Sequence, residues 1–180
     1  MEAGGAPSRT DGSETISVAT WNIRSGRNGG LEAALRAAGA LNADIVLLTE
    51  AKLTGGIYTR RFGEFSVFAT DAPSPHQGGV ALGWRDDVRF DIEGVERHSP
   101  NVIAFQVVTG GGRYYMVGTY VPPSCPDTIG VVHSAMAVCP KNCKPVLLGD
   151  LNANLESPRD KREEEIVEEC SFWGLSSLAR

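Results

Sequence analysis

Residues 43–50, ADIVLLTE, place four large aliphatic side chains in unbroken succession between Asp44 and the pair Thr49-Glu50. Successive side chains of a strand point to opposite faces, so an uninterrupted apolar run leaves neither face to water. The segment reads as a strand buried on both sides that ends in a carboxylate, Glu50. Residues 145–150, PVLLGD, repeat the pattern and end in Asp150, with Asn152 just beyond Leu151. Strand side chains recur every two residues, so Asp150 and Asn152 can aim both polar tips at one point. That geometry suits a site.

Upstream, ISVATWNI (16–23) reads as the first strand. GGLEAALRAAGALN then carries Leu31, Leu35, Ala38 and Leu41 at helical spacing, an amphipathic helix with Asn28 as its cap. Strand, helix, strand is the opening unit. After Glu50 the turn KLTGG leads to strands FSVFAT (65–70), GGVALGW (78–84), NVIAFQVV (101–108) and RYYMVGTY (113–120). Their connections are short and rich in Gly, Asp and Pro, as successive antiparallel strands require. DTIGVVHSAMAVCP has Ile129, Val132, Ala135 and Met136 on one helical face with Asp127 as its cap, and KREEEIVEEC reads as a third helix. The alternation of helix-flanked and meander strands implies an α+β fold in which two sheets pack together and helices cover them outside.

A chain of 180 residues, 42% hydrophobic, can bury a sizeable core as one domain. Residues 1–14 are Gly, Ala, Pro, Ser and charge without periodicity and read as a disordered leader, which leaves 15–180 as the folded domain. No run of about 18 uncharged apolar residues occurs, and the N-terminus lacks a basic start with an apolar stretch behind it, so neither membrane nor secretion is supported. The formal charge of -5 argues against nonspecific attachment to polyanions but leaves room for a nucleic acid held by a local basic face. Cys125, Cys139, Cys143 and Cys170, spaced 14, 4 and 27 apart, match no paired CxxC zinc pattern and read as reduced structural thiols.

Asn22, Glu50, Tyr120, Asp150 and Asn152 all fall at ends of these strands. Each has an ordinary reading alone: a turn former, a surface carboxylate, a core-edge phenol, an Asx cap. Five residues of catalytic type in one kind of place are less easily dismissed, because ligand and catalytic groups tend to sit in loops held by a rigid scaffold. Glu50 can hold a hard divalent cation of the Mg²⁺ kind, which takes oxygen ligands and keeps several waters. Asp150 can orient or deprotonate an attacking water, while the amides of Asn22 and Asn152 and the hydroxyl of Tyr120 donate to phosphoryl oxygens. That is a set for phosphodiester hydrolysis.

The segments TWNI, LLTE, GTYVPP and LLGDLNA, in this order, resemble the endonuclease/exonuclease/phosphatase superfamily over residues 15–180. The resemblance implies a four-layer α-β-β-α sandwich, two mixed sheets inside and helices outside, and phosphate-ester cleavage dependent on Mg²⁺ or Mn²⁺. It also implies roles: Asn22 as the substrate or metal-site asparagine, Glu50 as the principal metal ligand, Tyr120 as the phosphate-contacting tyrosine, Asp150 as the residue that activates water, and Asn152 as the transition-state asparagine. HQGGVALGW and PVLLGDLNANLESPRDKREEEIVEECSFWGL look most like the endonuclease domains that precede reverse transcriptase in non-LTR retrotransposons. In that branch one DNA strand is nicked to leave a priming 3′-hydroxyl, which implies DNA as partner, an intracellular and nuclear place of action, and covalent continuity with a reverse transcriptase. Arg24, Arg27, Lys52, Arg60 and Arg61 would then meet DNA phosphates, and His76, ahead of the Gly78-Gly79 strand start, would face substrate. The glycine pair permits a close approach of backbone to ligand, or a bulge.

Two departures from the family pattern carry expectations of their own. Family members close with an Asp-His pair near the C-terminus, and none follows Asp150 here; with a strand count short by two or three, this implies either the N-terminal portion of a longer reading frame or a copy that cannot cut. Arg24 stands where some DNA-repair relatives carry an aspartate, which points away from a repair enzyme. A small-molecule or lipid phosphatase of the same fold would use the same five residues. A catalytically inactive module that binds nucleic acid or protein is the alternative of a different class.

Overall fold

A computed structural model describes residues 15–56, 58–86, 90–125 and 127–177, so the leader read over residues 1–14 lies outside the described residues. The described elements run β1 (Val18–Asn22), α1 (Gly30–Ala40), β2 (Ile45–Thr49), β3 (Tyr58–Phe62), β4 (Phe65–Ala69), β5 (Val80–Arg85), β6 (Asp91–Ser99), β7 (Val102–Thr109), β8 (Gly112–Tyr120), α2 (Asp127–Ala137), β9 (Lys144–Asp150) and α3 (Lys161–Phe172). They make two sheets, ordered β1-β2-β5-β4-β3 and β6-β7-β8-β9.

The aliphatic run of β2 is buried along its whole length because the strand lies between β1 and β5 and is covered on both faces. Val46 and Leu48 pack against Leu31, Leu35 and Ala38 of α1. Ile45 and Leu47 point the other way, into Ile103, Phe105 and Met116 of the second sheet. Each such side chain contributes about 2 kcal/mol relative to exposure, so Glu50, one residue past the strand, starts from a fixed point. On the far side of the second sheet Val102, Ala104, Tyr115 and Val117 lie under Val132, Ala135 and Met136 of α2. Helix, sheet, sheet and helix are the four layers of the sandwich. No helix among the described residues is long and apolar enough to cross a membrane, and all four cysteines are free thiols.

Two pairs of strands are parallel: β1 with β2, joined by α1, and β8 with β9, joined by α2. The other pairs are antiparallel. A parallel pair needs a crossover, and here each sheet has one such strand-helix-strand unit. β9, read as a buried strand, is the outermost strand of its sheet, and Val146, Leu147 and Leu148 are only half-buried because they have a neighbour on one side alone.

Several local expectations are corrected. Gly29, in a left-handed conformation at φ 84°, stands at the N-cap of α1 and makes no side-chain cap bond, so Asn28 does not cap the helix. Asp127 is the first residue of α2 rather than its cap. Strands β3 and β6 were not expected. Both are edge strands, and the register shifts between Glu93 and Glu96 and between Arg97 and Ser99 break the two-residue alternation of β6 that would have revealed it.

The third helix has a well-made start. Asp160 Oδ1 accepts the Glu163 N–H at 2.9 Å, and Glu163, itself buried, accepts the Arg159 N–H at 2.8 Å and the Arg159 guanidinium at 2.6 Å. The hydrogen bond from the Arg159 side chain, followed by that from its backbone, holds the Glu163 carboxyl down at about 2, against an ordinary value of 4.5. A carboxyl depressed in the folded state stabilises above its unfolded pKa and loses that contribution as pH falls through the folded one. The gap in urea midpoint between wild type and Glu163→Gln is therefore expected to be constant above about pH 5 and to shrink between about pH 4.5 and pH 2. A gap unchanged at pH 2 would remove this carboxylate as its source. Further along, His133 Nδ1 of α2 meets Glu169 Oε2 of α3 at 3.0 Å, tying the two helices together.

Candidate active site

Ligands of parallel strand-helix-strand units tend to bind beyond the carboxyl ends of the strands. Asn22 ends β1 opposite Thr49, so Glu50 follows one residue further on, and Tyr120 ends β8 directly opposite Asp150 of β9. Each unit thus delivers an adjacent pair, and the packing of the sheets brings the pairs together. Asn22 Nδ2 donates to Glu50 Oε1 at 2.9 Å and to Asp150 Oδ2 at 2.8 Å. Those two carboxylate oxygens therefore lie within about 6 Å of each other, the most that two such bonds through one nitrogen allow. The Tyr120 hydroxyl donates to the same Glu50 oxygen at 3.1 Å, and Lys52 Nζ lies 2.8 Å from the other. Asp150 Oδ1 accepts the Asn152 N–H at 3.0 Å, and Asn152 Nδ2 donates to the Val121 carbonyl at 3.1 Å.

The turns that aim these groups are conformationally costly. Arg24, Glu50, Lys52 and Asn152 have φ of 57°, 52°, 53° and 48°, a region that side-chain-bearing residues rarely enter and that costs about 1 kcal/mol each. External ties hold them. The N–H groups of Ala51 and Lys52 donate to the carbonyls of Gly79 and Gly78, each at 3.0 Å, and Gly79 N–H donates to Asn101 Oδ1 at 2.9 Å. A Cβ on Gly78, at φ 74°, would sit 2.7 Å from Asn101 Oδ1. The glycine pair makes a close approach to the loop after Glu50.

Burial works to raise the Glu50 carboxyl, but hydrogen bonds from Asn22, Lys52 and Tyr120, with the Lys52 charge, outweigh it and leave the group below its ordinary value. Burial first, then the charge of Glu50 and the bond to it, push the Tyr120 phenol up to about 12, so it stays a hydrogen-bond donor at neutral pH.

The profile of the Endonuclease/Exonuclease/phosphatase family matches residues 19–170, most of the chain. The chain belongs to this family. No curated protein matches it. Among solved structures, the endonuclease domain of TRAS1, a telomere-specific non-LTR retrotransposon, is similar with a TM-score of 0.67 at 19% identity, over 92% of this chain and 74% of that one. The AP endonuclease LMAP from Leishmania major has a TM-score of 0.58 at 13% identity, over 84% and 65%. D. rerio TDP2 complexed with single strand DNA product has 0.57 at 16%, over 92% and 67%. At these identities the likeness is one of fold, and it places this endonuclease/exonuclease/phosphatase-family chain in the sandwich described above.

Other residues singled out in the sequence fall in different places. Arg24 and Arg27 lie exposed on the loop after Asn22, where the Arg24 N–H donates to Asn22 Oδ1 at 3.0 Å and the Arg27 N–H to Ser25 Oγ at 3.2 Å. His76 is exposed in the turn closed by the Ser74–Gln77 bridge, where its N–H donates to Ser74 Oγ, and no contact among the described residues joins it to Glu50 or Asp150. Arg60 and Arg61 belong to β3, the edge strand at the opposite side of the sheet from β1, where Arg60 stacks on Phe62 and Arg61 pairs with Asp86. They are not part of this cluster.

Among the described residues no three His, Cys, Asp or Glu converge as a ready cage for a metal. A cation of the Mg²⁺ kind does not need one, since one or two carboxylates with retained waters suffice. Two carboxylates joined through the Asn22 amide, with one Glu50 oxygen already drawing an ammonium, fit such a cation. Sequence reasoning missed two supporting residues, Asn101 beneath the glycine pair and Arg162 on α3, whose guanidinium bonds the carbonyls of Leu151 and Asn152. Arg162 gave no signal because a run such as KREEE reads as a solvated helix face.

Proposed function

We propose that this chain hydrolyses DNA phosphodiesters with a divalent metal, as the endonuclease domain of a non-LTR retrotransposon, within a polypeptide that continues into a reverse transcriptase and acts in the nucleus. The observation that carries the reading is the Asn22 amide held between Glu50 and Asp150, which gathers polar groups from both sheets at one point. The likeness to TRAS1 supports the branch, and the exposed Arg24 and Arg27, on the loop that follows Asn22, offer charge to DNA phosphates.

In this reading each Asp150 oxygen accepts one protein donor and keeps a lone pair for water. The carboxylate takes a proton as the water oxygen attacks phosphorus, and the P–O3′ bond breaks to leave a 5′-phosphate and a 3′ oxygen that draws its proton from solvent. The Asn152 amide bonds the Val121 carbonyl and the neutral Tyr120 hydroxyl, and a bound phosphoryl oxygen would take over the hydrogen now shared with Tyr120. A divalent cation held by Glu50 would polarise a phosphoryl oxygen and offset leaving-group charge.

Conversion of supercoiled plasmid to open circle in Mg²⁺ tests the reading, on these 180 residues and, where the reading frame continues, with the continuation. Folded, metal-loaded protein that nicks nothing would return the chain to the binding-module reading. Turnover of small phosphoesters or phospholipids but not plasmid would return it to the phosphatase one. Glu50→Gln is expected to weaken Mn²⁺ binding by about tenfold or more, because a neutral amide cannot supply the charge a hard cation prefers. Equal paramagnetic broadening in wild type and variant would take Glu50 out of that role.

A further inference from the structure

Arg162 stands in the first turn of α3 and reaches back to the turn that follows β9. Its Nη1 donates to the Asn152 carbonyl at 3.0 Å, and its Nη2 donates to the carbonyls of Leu151 and Asn152, each at 3.0 Å. A guanidinium is a rigid fork that usually meets a carboxylate or a phosphate. Here the fork closes on two backbone carbonyls, and its Nε is left buried without a partner. An unmet buried donor is costly, so these bonds are made against an opposing term.

What they hold needs holding. Asn152 sits at φ 48° just past an edge strand whose side chains are half-buried; its side-chain amide meets the Val121 carbonyl and the Tyr120 hydroxyl, and its N–H meets Asp150. The helix that supplies the fork is fixed independently by the Asp160 cap, the buried Glu163 under Arg159, and the buried Ile166. One end of the strut is rigid, and the other is the turn that carries Asn152.

We propose that Arg162 is a positioning residue that locks the 151–152 turn and thereby aims the side-chain amide of Asn152 at the phosphoryl oxygen. The role in turnover rests on the phosphodiesterase reading; the mechanical link from α3 to the turn does not. The guanidinium touches no reacting atom and acts through Asn152 alone.

Arg162→Gln removes the fork, and Arg162→Lys keeps the charge with one point donor. Amide hydrogen exchange followed by NMR is expected to speed up at Asn152, whose N–H is held by Asp150, by about tenfold in Arg162→Gln, less in Arg162→Lys, with the amides of α1 and β2 unchanged. Plasmid nicking should lose roughly 10- to 100-fold in kcat with KM for DNA little altered, as when a supporting partner of a working group is removed. In an Asn152→Ala background the same substitution should cost little more, because the group it aims is already gone. Unchanged exchange at Asn152 would overturn the proposal whether or not the protein cuts DNA. A kcat loss that persists undiminished in the Asn152→Ala background would overturn action through Asn152. If the wild type cuts no DNA, the phosphodiesterase reading fails on its own, and the exchange rates still decide whether Arg162 locks the turn.

Discussion

Asp150→Asn is expected to slow plasmid nicking by about three orders of magnitude while leaving DNA affinity nearly unchanged, the size of effect set by loss of a positioned general base. The substitution is almost isosteric, and the carbonyl of the introduced amide could still accept from Asn22 Nδ2 as Asp150 Oδ2 does at 2.8 Å. What it cannot do is take the proton of the water. Asn152→Ala should fall nearly as far, by about 3 kcal/mol of transition-state stabilisation, since that is the typical cost of one donor to a developing phosphoryl charge. Single-turnover rates with saturating enzyme, beside gel-shift affinities, separate the two quantities. If both variants nick at the wild-type rate, Asp150 and Asn152 do not act in the reaction, and the turn after β9 is a loop of suggestive sequence only.

Gly149→Ala is the substitution expected to do most damage to the fold. Gly149 lies in β9 directly beside Thr119 of β8 at φ 134°, and a Cβ built there would stand 1.8 Å from the Thr119 carbonyl oxygen and 2.8 Å from its carbon. The clash is with backbone inside a strand pair, so no side chain can swing away to relieve it. Either the two strands part at the residues that deliver Tyr120 and Asp150, or the backbone takes a conformation closed to alanine. Overpacking of this kind costs about 1–3 kcal/mol, and the backbone strain adds about 1–2. A drop of about 3 kcal/mol or more in unfolding free energy should appear in urea titrations. A variant within about 0.5 kcal/mol of wild type would mean that Gly149 does not sit as described.

How far the sequence could be read depended on how many neighbours each segment has. ADIVLLTE was legible because β2 is covered on both faces, and Asn22, Glu50, Tyr120 and Asp150 were legible because each stands where an apolar run stops. β9 carries a similar apolar run for a different reason: it is an edge strand that still contributes to both core layers, so run length alone could not tell it from a central strand. β3 and β6 were invisible because edge strands carry polar side chains on their open faces and β6 is irregular as well. Asn28 misled because its side chain suits a cap, whereas a left-handed Gly29 makes the entry to α1 without one. Arg60 and Arg61 looked close to Glu50 in sequence, but two strands, β5 and β4, lie between β3 and β2. Arg162 could not be found at all, since its bonds run to backbone carbonyls and leave no pattern in residue type.

The Asn22–Asp150 bond joins residues 128 positions apart and belongs to neither sheet alone. Neither strand-helix-strand half contains a complete pocket, so whatever spans Glu50 and Asp150 binds the docked sandwich and not the separated halves. Occupancy and folding are therefore coupled by mass action: a ligand present at about a hundred times its dissociation constant adds about 2.7 kcal/mol to the docked state. The same coupling lets substitutions deep between the sheets, far from any bound molecule, weaken apparent affinity once they populate the undocked form, and lets a ligand of the docked state rescue chains whose core has been damaged.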